Sequence, residues 1–186
     1  KMGYALAQEA KDRGARVILV SGPTNQTAPE VDEFVSVQSA AEMYEAVESR
    51  RKDVDGFIMA AAVADYSPKE VASQKMKKQE GELSIELSAT KDILKQVGKN
   101  KKKGQFVVGF ALETNNEETN AQDKLQRKNC DMIVLNSLQN EGAGFGKDTN
   151  HITIFDADNK KHSFELKSKA KVAVDILNTM EEKWLG

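Results

Sequence analysis

The chain has one cysteine, three prolines and two histidines in 186 residues, and its charges nearly cancel. A single thiol, Cys130, excludes an intramolecular disulfide framework, and with only His151 and His162 beside it there is no His/Cys cluster spaced for zinc. A reducing cytoplasm fits that composition. With 27 Lys+Arg against 29 Asp+Glu the formal charge is −2, so the basic excess that a general nucleic-acid or membrane-surface binder needs is missing. The longest apolar run, Phe57 to Ala64, is far short of the ~20 residues of a membrane span, and no charged-then-apolar secretory leader is expected. What remains suffices for a core: 39% of residues are apolar and 30% charged. At this length a compact domain buries roughly 70% of its unfolded surface, so one domain over residues 1–186 is expected.

Hydrophobic spacing predicts the elements. Met2, Leu6 and Ala10 recur at helical spacing, and Gly14 stands where a left-handed C-terminal cap belongs. Arg16 to Val20 (RVILV) is a β-branched run that closes at Ser21, Gly22 and Pro23, as a buried parallel strand does. Phe34, Val35 and Val37 predict a second strand, and Ser39 with Glu42 a capping box opening a helix to about Arg51. Phe57 to Ala60 reads as a third strand, and Leu83, Ile85 and Leu87 alternate as a strand with one wet face. Thr90 is expected to cap a short helix ending near Gly98. Phe106 to Phe110 and Met132 to Leu135 read as strands around a helix that Asn115 and Glu118 would open. Ile152, Ile154, Phe155, Phe164 and Leu166 flank Asp158–Asn159 as a hairpin. Val172, Ile176, Met180 and Trp184 mark a closing helix. This alternation predicts an α/β fold, a Rossmann-like, doubly wound, mostly parallel sheet with a late antiparallel hairpin.

In such folds ligands bind beyond the carboxyl ends of the parallel strands. The loops after Val20, Ala60, Phe110 and Leu135 are therefore the candidates. Small residues from Ala60 to Ala64 would let a flat ligand lie against backbone, with the Asp65 carboxylate just beyond the strand; the plainer alternative is a tightly packed strand end with a turn aspartate. Lys75, Lys77 and Lys78 follow on a polar stretch that is either a solvated run or a clamp for a triphosphate. Lys124 and Lys128, four residues apart, share a helix face, either an exposed basic stripe or a second wall of the same crevice. Phe110 could stack on a base or serve the core. Gly142, Gly144 and Gly146 precede no helix and do not make a phosphate loop. The first helix has no strand and glycine turn before it, so the chain reads as lacking one piece of a nucleotide site.

Taken together, KMGYALA at the start, LVSGP (Leu19 to Pro23), AAAVADY (Ala60 to Tyr66), KMKK (Lys75 to Lys78), KDIL (Lys91 to Leu94), VGFALET (Val108 to Thr114) and the spacing through Lys124, Lys128, Asp131 and Asn136 resemble bacterial phosphopantothenate–cysteine ligase. In many bacteria that ligase is the C-terminal half of a bifunctional coenzyme A biosynthesis protein. The resemblance runs the length of the chain in one order. It implies an enzyme that uses CTP and Mg²⁺ to activate 4′-phosphopantothenate as an acyl-cytidylate, which the amine of cysteine then converts to an amide. It implies CTP contacts from Met59, Ala60, Ala61 and Asp65, and a catalytic Lys75 that meets charge developing at the reaction centre. Lys91, Asp92, Ile93 and Leu94 would hold the nucleotide by backbone groups, and Phe110, Lys124 and Lys128 would complete the site. Lys91 stands where this family often has proline. No residue is named as a metal ligand. The resemblance further implies a homodimer, fusion to a flavin-dependent decarboxylase domain, and an upstream strand and turn carrying an asparagine that steadies the acyl-cytidylate. Two other readings stay open on the residues themselves. One is an NAD(P)-dependent oxidoreductase on the same fold, weakened because no G-x-G-x-x-G turn follows a strand; the other is a non-catalytic nucleotide-binding fragment.

Overall fold

The computed structural model describes residues 1–77, 82–113, 115–137 and 147–185. Lys78, Thr114 and the glycines at 142, 144 and 146 lie outside the described residues. In chain order the elements are α1 (Met2–Asp12), β1 (Ile18–Ser21), β2 (Glu33–Ser36), α2 (Ala40–Arg50), β3 (Gly56–Met59), β4 (Tyr66–Pro68), β5 (Leu87–Ala89), α3 (Ile93–Asn100), β6 (Phe106–Glu113), α4 (Glu117–Arg127), β7 (Met132–Ser137), β8 (Thr149–Asn150), β9 (Ile152–Asp156), β10 (Lys161–Ser163), β11 (Lys167–Ser168) and α5 (Lys169–Leu185).

The central sheet has the order β10-β9-β7-β6-β3. Its strands β3, β6 and β7 run parallel, with Met59 opposite Gly109 and Phe110 opposite Val134, while β9 and β10 join antiparallel as the expected late hairpin. Two-sided burial explains the unbroken apolar runs. Val107, Ile133, Leu135 and Phe155 face one core with Ile93, Val97, Ala121 and Leu125. Val108, Met132, Val134, Ile152 and Ile154 face the other, with Leu6, Val172, Ile176 and Leu177. Alternate residues of one strand thus serve opposite cores, as the period of two requires. Each such side chain taken fully out of water contributes about 1.5–3 kcal/mol before entropy is counted. Strands β1 and β2 pair parallel with each other in a separate two-stranded sheet, Val20 opposite Val35. Val20 and Val35 pack on the first core. Among the described residues no helix is long and apolar enough to cross a membrane.

Local signals account for most boundaries. Gly14, at φ +85°, ends α1: its amide bonds Lys11 O at 2.9 Å and that of Ala15 bonds Ala10 O at 3.0 Å, the paired bonds of a Schellman cap. Ser39 accepts from the Glu42 amide, which satisfies an orphan donor of α2, and the Glu42 carboxylate accepts from the amide of Gln38 just before the cap.

Four expectations need correction. Asp92, not Thr90, caps α3, accepting from the Lys95 amide at 2.8 Å; Thr90 is occupied elsewhere. Asn115 and Glu118 do not cap α4, because Asn116 takes the cap position in a left-handed conformation (φ 47°) and makes no side-chain cap bond. Phe110 does not end its strand, since β6 runs on to Glu113 along β7. Leu83, Ile85 and Leu87 do not belong to a strand with one buried face: only Leu87–Ala89 pairs, in an antiparallel ribbon with β4, and the three side chains are 71%, 57% and 58% exposed. Periodicity in a strand reports a face that is covered, and within this chain the described residues leave this one open.

Candidate functional site

The carboxyl end of β3 lies beside Gly109 in the middle of β6, and most of the sequence-predicted residues stand around that point. Met59 closes β3 and packs on the first core, while Ala60 faces the second. Gly3 of α1 approaches so closely that a β-carbon there would stand 3.7 Å from that of Ala60. Ala61 and Asp65 are exposed on the loop that follows.

Helix α3 meets this loop through Thr90. Its hydroxyl donates to Ala64 O at 2.6 Å and its amide to Asp65 O at 2.9 Å. Directly after it come Lys91 and the cap residue Asp92. Ile93 is in the core and Leu94 packs against it, so this segment can offer a ligand only its backbone and the polar groups of its first turn. Lys91 turns away: its ammonium lies 4.1 Å from the centre of the Tyr44 ring and 3.3 Å from Glu45, both on α2.

Lys124, in α4, and Lys128, its C-cap, reach β6 and the start of α3. Lys124 Nζ donates to Phe110 O at 2.8 Å, one residue past the last β3–β6 pair. Lys128 Nζ pairs with Asp92. The Lys128 side chain is only 17% exposed, so its charge is held in a partly dry place beside one carboxylate. Burial would raise the Asp92 carboxyl, but the Lys128 ammonium, the Lys95 amide and the nearby charge of Lys124 outweigh it and hold the group below the usual aspartate range. The arrangement is two ammonium groups, one helix N-terminus and one compensating carboxylate. An incoming polyphosphate would exchange the Asp92 carboxylate for its own oxygens on Lys128.

The Phe110 ring lies on the opposite side of the sheet from α4, half-buried against the second core. Lys75 stands exposed, with no partner among the described residues, on the segment that leaves the β4–β5 ribbon.

The sequence reading gave Asn136 no role of its own. It is 8% exposed, and its Oδ1 has no hydrogen-bond partner among the described residues. Strand alternation puts its side chain on the face of Met132 and Val134, the side that α1 covers. The N-terminus of α1 lies on that side with no side-chain cap, its Tyr4 hydroxyl 2.8 Å from Ser21 Oγ at the end of β1. A polar residue closing the otherwise apolar run MIVLN at a strand's carboxyl end is the signal that could have marked it. Cys130 offers no nucleophile, because burial pushes its thiol up to about 12. His162 is in β10, 3.8 Å from Asp156, and the His151 carbonyl accepts from the amide of Ser137, the last residue of β7 and the one after Asn136.

Known proteins share this fold and sequence. Residues 1–183 match the model of the DNA/pantothenate metabolism flavoprotein C-terminal domain. The coenzyme A biosynthesis bifunctional protein CoaBC of Bacillus subtilis strain 168 is 52% identical over 178 residues, which are 95% of this chain and 44% of that protein. A prokaryotic protein named cysteine/cysteine sulfinic acid decarboxylase is 51% identical, over 95% of this chain and 50% of its own length. The chain therefore spans about half the length of the curated relatives it matches. A crystal structure of the C-terminal domain of a coenzyme A biosynthesis bifunctional protein CoaBC superposes with a TM-score of 0.82 at 42% identity, covering 97% of this chain and 81% of that one. The chain belongs to the DNA/pantothenate metabolism flavoprotein C-terminal domain family.

Proposed function

We propose that this domain carries out the ligase step of coenzyme A biosynthesis, joining 4′-phosphopantothenate to L-cysteine at the cost of CTP. The observation that carries the reading is the convergence of Lys124, Lys128, the start of α3 and the Asp65 loop around the carboxyl end of β3 and the middle of β6. The substrate carboxylate attacks the α-phosphorus of CTP and the bond to the β-phosphate breaks, which releases pyrophosphate. The cysteine amine then attacks the acyl carbon, the bond to CMP breaks, and the ammonium proton is lost. The residues fit these demands. The small side chains from Ala60 to Ala64 let the pyrimidine lie against backbone. Lys124 and Lys128 meet the triphosphate, and the exposed Lys75 meets the leaving charge from the ribbon side. Asn136 lies on the face that α1 covers, where its side-chain amide would donate through Nδ2 to a second, anionic substrate.

Among the described residues no group of three or more His, Cys, Asp and Glu is placed to hold a metal. A Mg²⁺ brought in with the triphosphate would have Asp65, on the loop after β3, as its available carboxylate. When bound there the ion neutralises phosphate charge.

The test is to supply CTP, Mg²⁺ and 4′-phosphopantothenate to the protein in its full length while withholding cysteine. An acyl-cytidylate and pyrophosphate in equal amounts, then CMP and the amide once cysteine is added, are the expected products. CTP left intact sinks the reading.

The same reading places the domain beside a flavin-dependent decarboxylase half in a longer cytoplasmic protein. It also pairs two copies of the chain. Tyr66, Pro68, Leu87 and Ala89 fall on one side of the β4–β5 ribbon by alternation, and Tyr66 and Leu87, with Leu83 and Ile85 on the segment leading into β5, are largely open to solvent. A two-stranded ribbon is marginal by itself, and a like ribbon of a second copy would cover that face. Ile85→Glu is expected to shift the protein from dimer to monomer by light scattering at micromolar concentration. A wild type that is already monomeric overturns the pairing.

A further inference from the structure

We propose that Thr90 is a positioning residue of the nucleotide crevice, locking the loop that carries Asp65 to the start of α3. This rests on the nucleotide reading above and adds a residue to it. The segments Met59–Asp65 and Lys91–Leu94 share the first core through Met59, Val63, Ile93 and Leu94, and no strand pairing joins them among the described residues. They meet at Thr90, which donates twice to consecutive carbonyls, Oγ1 to Ala64 O at 2.6 Å and the amide to Asp65 O at 2.9 Å. The residue before it, Ala89, pairs with Tyr66 in the ribbon, and the second residue after it is the α3 cap.

Thr90 thus fixes the Asp65 loop through its hydroxyl and amide, while the entry of α3 is held separately by the Asp92 cap. The geometry also divides the site. Lys124 and Lys128 are held by Phe110 O and Asp92, neither of which bonds to Thr90. Loss of the Thr90 hydroxyl should therefore disturb the nucleoside side and leave the phosphate side in place. Ala64 O would lose the hydroxyl as its donor, and the loop would sample positions in which the small-residue platform no longer faces the base.

The experiment measures CTP and inorganic tripolyphosphate binding by calorimetry, with unfolding midpoints, for wild type, Thr90→Val and Thr90→Ser. Valine keeps the shape and removes the donor; serine keeps the donor. Thr90→Val should weaken CTP about five- to tenfold, the effect of one ordinary hydrogen bond. Its tripolyphosphate affinity and midpoint should stay at wild-type values, and Thr90→Ser should bind CTP like wild type. Equal CTP affinity in Thr90→Val overturns the inference. So does a parallel loss of CTP and tripolyphosphate, which marks a general collapse, or a serine variant as weak as the valine one. A wild type that binds tripolyphosphate but not CTP overturns the nucleotide reading itself, a result separate from any difference between the variants.

Discussion

Replacing Gly98 with alanine is expected to destabilise the protein more than any other single-methyl change near the crevice. Gly98 sits inside α3, where the helix meets the end of α4. A β-carbon built there would overlap the Lys128 carbonyl oxygen and come within 3.0 Å of its carbon and 3.2 Å of Asn129 O. These are backbone atoms, so no side chain can swing aside. The helices must part, and the bond from Asn129 Nδ2 to Gly98 O, 2.8 Å long, parts with them. Overpacking of this kind costs typically 1–3 kcal/mol and more when backbone is the obstacle, and about 3 kcal/mol is expected here. For a chain of this size that lowers the unfolding midpoint by roughly 6–12 °C. The methyl would otherwise favour helix by about 1 kcal/mol, so a variant at or above the wild-type midpoint contradicts the packing described. Gly109→Ala is the comparison: its β-carbon would meet the tips of Ile133 and Leu94, which can move, and a smaller loss is expected. Because Gly98 sets the distance of Lys128 from Asp92, Gly98→Ala should also weaken CTP binding in the fraction that remains folded.

Lys75→Gln is expected to lower turnover of the full-length enzyme by about tenfold or more, a loss of at least about 1.4 kcal/mol of transition-state stabilisation. The ground-state effect should be small. Lys75 is exposed on a segment outside the crevice proper, whereas Lys124 and Lys128 are already placed within it. A charge that arrives only over the reacting complex stabilises the transition state more than bound CTP, so kcat falls and the CTP dissociation constant stays within a few-fold. Steady-state kinetics beside CTP titration decide the matter. A large loss of CTP affinity at unchanged kcat would place Lys75 in ground-state binding instead.

Fold class was legible in this sequence because burial on both faces of β6 and β7 leaves unbroken runs such as FVVGF and MIVL, and caps such as Gly14 and Ser39 mark their own chemistry. The ribbon was misread for a physical reason. Leu83, Ile85 and Leu87 alternate as though one face were buried, yet the surface that would bury it is not part of this chain's own core. The cap of α3 was misplaced because Thr90 and Asp92 are both good caps by type, and only the fold shows that Thr90 is engaged with Ala64 and Asp65. Lys124 and Lys128 could be paired by spacing alone. That their partners are Phe110 O and Asp92 depends on α3 and α4 closing together at Gly98, which is a tertiary fact. Asn136 stood in the motif spacing without a role of its own, because an unpartnered oxygen is visible only once its neighbours are placed.

The most direct test of the central claim, that this crevice is a CTP site, is calorimetric titration of the protein with CTP and ATP in the presence of Mg²⁺, repeated with Lys128→Gln. The account predicts that CTP binds at least about tenfold more tightly than ATP, a difference of about 1.4 kcal/mol, and that Lys128→Gln weakens CTP by a similar factor. Equal dissociation constants for the two nucleotides, or CTP binding indifferent to Lys128, would contradict it.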